Sequence, residues 1–270
     1  MILTSLKNPK VKAVRELRER KNRDAGGVTI LEGYRELSRG HAAGVQMPEV
    51  FFCKELFLGQ NESTLLDGLE KSGSVLYECT SDILCKLAYR DRPEGLIAVA
   101  KMKHKGLSEI PAKPTGLYLV AETIEKPGNL GSILRSADAV GATAVIVCDK
   151  RTDLFNPNVI RASTGAIFTV PVAEASSPDA LEWLKKLGIR TLAATPHTDY
   201  KHTDVDMKSG IAIVVGAEQY GLTPFWMESA DLKVVIPMLG RMDSLNVATA
   251  ATILLYEAAR QRGWKTDLNG

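Results

Sequence analysis

Three short stretches of the chain carry polar residues spaced for a shared task. The first runs Glu122-Thr123-Ile124-Glu125-Lys126-Pro127-Gly128-Asn129-Leu130-Gly131-Ser132, and Arg135 follows Asn129 by six positions. Gly128 and Gly131 permit a tight turn and close approach of backbone to a ligand, and the helix start behind them suits an anion such as phosphate. Asn129 and Arg135 could then face one pocket; the plainer reading is a helix start with a solvated arginine. The second stretch, Gly216-Ala217-Glu218-Gln219-Tyr220-Gly221-Leu222, brackets an acid between glycines. It reads either as a backbone cradle for a small molecule, with Glu218 on its polar atoms, or as a turn needing positive φ at its glycines. The third runs from Pro237 to Asn246 and sets Ser244 and Asn246 before a long Ala/Thr-rich helix, where either is also a natural N-cap.

Each stretch follows an apolar run: Leu117–Ala121, Ile211–Val215 and Val234–Ile236. Further runs lie at Ala144–Val147 and Leu192–Ala194, with helical patterns at Leu130–Val140 and Ala180–Leu187 between them. Short, continuously apolar strands alternating with helices predict an α/β parallel sheet covered on both faces, with ligands at the carboxyl ends of its strands. Residues 1–105 read as a smaller α/β domain. It has a basic helix over 8–22, strands at Val28–Leu31, Val50–Cys53, Val75–Tyr77 and Leu96–Ala100, and helices at Tyr34–Ala43 and Leu65–Leu69. The polar, proline-containing segment KMKHKGLSEIPAKPT over 101–115 marks a linker, so the expected division is 1–105, a linker at 106–115, and 116–270.

Composition narrows the function class. With 45% hydrophobic and 24% charged residues, the 270-residue chain needs neither disulfide nor metal to fold. Cys53, Cys79, Cys85 and Cys148 form no C-x-x-C pair, and His41, His104, His197 and His202 form no triad spacing, so no metal site is expected. No apolar run approaches a membrane span, and the first residues lack a signal-peptide core, so a cytoplasmic protein without a membrane partner is expected. The net charge of +2 conceals eight basic residues against two glutamates between Lys7 and Arg23. Lys10, Arg15, Arg18, Lys21 and Arg23 are thus candidates for RNA phosphates; the alternative is a solvated helix with Val11, Val14 and Leu17 turned inward.

Taken together and in this order, the three stretches resemble the SpoU/TrmH family of RNA 2′-O-ribose methyltransferases. The resemblance rests on Asn129, Gly131 and Arg135, then Gly216, Glu218, Gly221 and Leu222, then Ile236, Pro237, Ser244, Leu245 and Asn246. It covers residues 115–262, and the run Val159–Ala166, with Arg161 as a further RNA contact, looks like the family's segment between the first two motifs. Gln219 stands where many members carry glycine. The first 105 residues are similar, less specifically, to the family's substrate-binding domain, which resembles ribosomal protein L30e.

The resemblance implies a C-terminal trefoil knot, a homodimer whose sites use both subunits, and S-adenosylmethionine as cofactor. The cofactor would lie against Gly216, Ile236 and Leu245, with Thr195 and Met238 nearby. Transfer to a ribose 2′-hydroxyl requires a positioned donor and removal of one proton. Arg135 would serve as base with help from a substrate phosphate, or clamp that phosphate while another group takes the proton, since a guanidinium stays protonated. Asn129, Ser244 and Asn246 would orient Arg135 and the ribose, and Glu218 would help fix the arginine or the nucleotide. Large-subunit (23S) rRNA is the expected substrate; tRNA, or an inactive RNA-binding protein with this fold, are the alternatives.

Overall fold

The apolar runs of the second half of the chain are neighbouring strands. In the computed structural model, which describes residues 2–264, the chain divides into two compact units. One is Met1–Lys103 with Phe155–Phe168; the other is His104–Leu154 with Thr169–Gly270.

In the first unit β1 (Val28–Glu32), β2 (Glu49–Phe52), β3 (Val75–Glu78) and β4 (Leu96–Lys101) form a sheet in the order β1-β4-β2-β3. β4 is antiparallel to β1 and β2, while β2 and β3 are parallel. The expected basic helix is broken in two, α1 (Pro9–Glu16) and α2 (Arg20–Gly26). Val11 and Val14 of α1 are buried with Ile30, Phe51 and Ile97, as an amphipathic helix requires. Arg23 closes the break: it is 3% exposed, and its Nη1 donates to the carbonyls of Leu17 and Arg18, both at 3.0 Å. Those are carbonyls freed where α1 ends. Arg23 therefore belongs to the fold, which corrects its placement among the RNA-facing residues. α3 (Tyr34–Ala42), α4 (Glu62–Lys71) and α5 (Ser81–Leu87) complete this part of the chain; α5 had no distinct sequence signal.

In the second unit β5 (Leu117–Glu122) is followed by α6 (Pro127–Ala139) and β6 (Ala144–Cys148). The chain then contributes α7 (Pro157–Ala162) to the first unit, where the Thr29 hydroxyl donates to the Phe155 carbonyl at 2.6 Å. It returns as β7 (Val172–Ala175), α8 (Ser177–Lys186), β8 (Arg190–Ala194), β9 (Ile211–Val215), α9 (Pro224–Ser229), β10 (Leu232–Val234) and α10 (Val247–Gln261). The six strands are all parallel, in the order β10-β8-β9-β5-β6-β7. Every residue of β5, β6 and β9 is buried, which is why these strands read as unbroken apolar runs.

One expectation is corrected here. Ile236 lies beyond β10, because at Val235 the chain leaves β8 and pairs with the segment at Tyr200–His202 instead. α10 packs against α6 and β9 of the same chain, with Ala248 and Ala251 buried. Among the described residues no helix is long and apolar enough to cross a membrane.

Candidate functional site at the carboxyl edge of the parallel sheet

A parallel sheet brings the carboxyl ends of its strands to one edge. β10, β8 and β9 are adjacent, and Thr195 and Gly216 immediately follow the ends of β8 and β9. The register Ala193↔Val214 and Ala194↔Val234 sets Thr195 and Gly216 side by side, with Val235 on the far side of Thr195. Neighbouring strands are roughly 5 Å apart, so three of these loops open from a row about 10 Å long. Ile236 and Met238, both half-buried, follow directly. Among the described residues, no main-chain hydrogen bond to another backbone group involves 236–245. That leaves N–H and C=O groups of this loop available to a ligand. Leu245 is exposed at its far end.

The second loop is built on its glycines. Ala217 and Gly221 exchange two main-chain hydrogen bonds at 2.9 Å each, and Gly221 has φ +67°. A Cβ on Gly216 would stand 2.3 Å from the Gly221 carbonyl carbon, so only glycine lets the loop close on itself. The closure projects Glu218 toward the first loop.

Three polar side chains from three loops then meet. Asn129 Nδ2 donates to Glu218 Oε1 at 2.5 Å, and Asn246 Nδ2 donates to Asn129 Oδ1 at 3.0 Å. Glu218 also accepts from the main-chain N–H groups of Glu125 and Lys126, both at 3.3 Å. Because a carboxylate only accepts, it fixes which way the Asn129 amide points, and that in turn orients Asn246. Burial alone would push the Glu218 carboxyl up. The donors from Asn129 and from the backbone of Glu218, Glu125 and Lys126 outweigh it and hold the group below its usual range. Asn246 is also the N-cap of α10, accepting from Ala248 N–H at 2.9 Å. Both readings of that residue hold at once.

Arg135 and Ser244 stand apart from this chain of bonds. Asn129 lies inside the first turn of α6 rather than in the turn before it. Six helical residues rotate by about 600°, which leaves Arg135 about 120° around the axis from Asn129. Arg135 is exposed on that face. Ser244 is exposed and donates only to its neighbour Asp243, at 3.2 Å.

One residue that the sequence did not single out fastens the loops beneath the site. Glu122, the last residue of β5, is 1% exposed. Its two oxygens accept from the Thr223 hydroxyl at 2.6 Å and from Thr223 N–H at 2.9 Å, and Ser177 Oγ, whose one proton is shared with Asp149 Oδ2 at 2.5 Å, lies 3.3 Å away. Ser177 in turn accepts from Trp226 Nε1 at 2.8 Å. A charge closing an otherwise apolar strand was the available signal.

The basic residues of the first unit have mixed settings. Arg15, Lys21 and Arg161 are exposed. Lys10 pairs with Glu49. Arg18 donates to the carbonyls of Lys86 and Ala88 and lies over the Tyr89 ring at 5.4 Å. Among the described residues no cluster of His, Cys, Asp or Glu is arranged to hold a metal ion.

A parallel α/β sheet whose loops gather at the carboxyl ends of its strands places this site where open α/β folds bind small-molecule ligands. Residues 116–256 match the SpoU rRNA Methylase family, and residues 8–98 match an MRM3-like substrate binding domain. The chain belongs to the SpoU rRNA methylase family. It is 37% identical over 191 residues to a 23S rRNA (uridine(2479)-2′-O)-methyltransferase of Streptomyces viridochromogenes, an alignment spanning 67% of this chain and 66% of that protein. A crystal structure of an RNA 2′-O ribose methyltransferase superposes with TM-score 0.87 at 42% identity, covering 97% of this chain and 99% of the other. An AdoMet-bound rRNA methyltransferase from Sinorhizobium meliloti superposes with TM-score 0.87 at 28% identity, covering 96% and 97%.

Proposed function

We propose that this chain transfers the methyl group of S-adenosylmethionine to a ribose 2′-hydroxyl of ribosomal RNA, most specifically of the 23S type. The observation that carries the reading is the hydrogen-bonded run Asn246–Asn129–Glu218, which ties three family motifs together at one sheet edge. Bound there, S-adenosylmethionine supplies a methyl group on a cationic sulfur. The cofactor fits the free main-chain groups of 236–245 beside Thr195 and Gly216, and Ile236, Met238 and Leu245 supply apolar walls. Asn129 and Asn246 orient the ribose, with Glu218 keeping their amides in register. Arg135, exposed on α6, would clamp the phosphate beside the target ribose, and the hydroxyl proton would pass to that phosphate as the methyl–oxygen bond forms and the methyl–sulfur bond breaks; Ser244 would join it from the third loop.

We assign cofactor chemistry to 116–270 and RNA capture to an L30e-like first domain, 1–105, through Lys10, Arg15, Arg18 and Lys21, with Arg161 added from α7. The exposure of Leu239, at 98%, and of Met242 supports a homodimer that covers the third loop and brings Arg135 to a neighbouring site. A trefoil knot is supported by the chain's path. Segment 200–202 runs beside Val235, and α10 returns past it to α6 and β9, where Arg262 donates to the Thr115 carbonyl at 3.0 Å. Four unpaired thiols agree with a reducing, cytoplasmic setting.

Arg135→Ala is expected to lower methylation of rRNA by about a hundredfold or more while leaving S-adenosylmethionine affinity within about twofold. Radiolabelled methyl transfer and calorimetry measure the two. Near-normal turnover in that variant would remove Arg135 from the mechanism.

A further inference from the structure

The first unit contains a cleft that the methyl-transfer reading leaves unused. It has a volume of about 440 Å³ and is lined by Tyr34, Arg35, Glu36, Leu58, Glu62 and Arg90, among others. That is within the range of small-molecule sites, roughly 300–1,000 Å³. Its floor is charged. Arg90 donates to Glu36 at 2.8 Å and pairs with Glu94. Main-chain N–H groups of Tyr89 and Arg90 donate to Glu32 at 2.8 and 3.3 Å. Gly33, with φ +102°, closes over these groups so tightly that a Cβ there would stand 2.8 Å from Glu36 Oε2.

Glu62 breaks this pattern of satisfaction. It begins α4 and is 4% exposed. One oxygen, Oε1, accepts from Gly59 N–H at 2.8 Å. The other, Oε2, is buried with no hydrogen-bond partner, and so is Arg90 Nε. A buried acceptor of this kind carries a desolvation cost that only a donor relieves. The donor is not a metal ion by the arrangement of the side chains, since no three carboxylate, histidine or cysteine groups among the described residues converge as metal ligands.

We propose that this cleft receives a guanine base unstacked from the RNA substrate, with its N1–H and N2 amino group donating to the Glu62 carboxylate. The inference rests on RNA being the substrate. Guanine is the one common base with an imino and an amino donor side by side on one edge. Uracil and adenine flank their single donor with acceptors that a carboxylate repels, and cytosine offers only an amino group beside a ring acceptor. Guanine O6, next along that edge, calls for a donor, and Arg90 Nε is the unspent donor in the same cleft. Proteins that read unpaired RNA place such a base against flat or apolar side chains. Tyr34 and the 78% exposed Leu58 line this cleft. Arg35, exposed at the start of α3, stands ready for the adjoining phosphate. A nucleotide held here anchors the RNA on the first unit.

The test uses the full chain and labelled oligouridylates carrying one central guanosine, inosine or adenosine, with binding read by fluorescence anisotropy. Guanosine is expected to bind at least about tenfold more tightly than inosine, which lacks the N2 amino group, and than adenosine. Glu62→Gln, which keeps the shape but brings a donor, is expected to erase that preference. Equal binding of guanosine and inosine by the unaltered protein would overturn the proposal without any variant. So would a guanosine preference that survives Glu62→Gln, or an arginine-rich peptide that displaces the oligomers while they show no base preference. Calorimetry with S-adenosylmethionine on the same preparations separates the two readings. Its failure beside an intact guanosine preference counts against methyl transfer and leaves the cleft standing.

Discussion

Glu122 in the second unit and Glu62 in the first are both buried carboxylates, and they are treated differently. Both oxygens of Glu122 are occupied, by the Thr223 hydroxyl and N–H. Glu62 has a donor on one oxygen and none on the other. A carboxylate whose lone pairs are filled from its own chain fastens elements together: here the end of β5 to the start of α9. One held by a single N–H is positioned but not spent, because its second oxygen still lacks a donor. Glu218 lies between the two, half-buried and accepting from Asn129, Glu125 and Lys126, so it has both a fastening and an orienting part.

The comparison can be broken by substitution. Glu122→Ala should be the most damaging, because it leaves the Thr223 donors facing a small apolar gap. A loss of about 3 kcal/mol in denaturant unfolding of the full chain is expected, and a loss under about 1 kcal/mol would deny Glu122 its fastening role. Glu218→Gln should cost less stability and more turnover, since an amide in place of the acid presents a donor where Asn129 also donates. Its stability effect carries a pH signature. The folded-state carboxyl of Glu218 sits below the ordinary value of 4.5. Its contribution is therefore fully present above about 4.5 and disappears as the pH falls through the lower folded-state value. The melting difference between wild type and Glu218→Gln should shrink in that acidic window, and a difference that grows there would reverse the sign of the coupling. The smallest effect is expected for Glu62→Gln, whose unfolding free energy should stay within about 1 kcal/mol of wild type, because the Gly59 N–H keeps an oxygen acceptor. A large loss there would make Glu62 a second Glu122.

The sheet was legible because its strands are buried on both faces: β5, β6 and β9 carry nothing but apolar residues until Glu122 and Cys148 close them. β7 was not, since its four residues sit at the sheet edge and include Glu174. The meeting of Asn129, Glu218 and Asn246 was legible only through resemblance to a family. Separations of 89 and 117 positions bring these side chains together by way of the strand order, and no local period records that. The helical placement of Asn129 escaped notice because Pro127 and Gly128 look like a turn, although proline is at home in the first turn of a helix. Arg23 was misplaced for a related reason. Charge density marks a basic surface, but whether one guanidinium instead folds onto carbonyls five and six residues earlier depends on where the helix breaks.

Because α7 is spliced into the first unit from between β6 and β7, no single cut of this polypeptide yields two complete modules. Severing the basic connector near Lys105 would strip β1 of the helix packed against it and leave Val159 and Ile160, both buried in the intact chain, as a sticky apolar face on the carboxyl-terminal fragment. Separating the two units of this chain therefore calls for a circularly rearranged or co-expressed design, not a simple truncation.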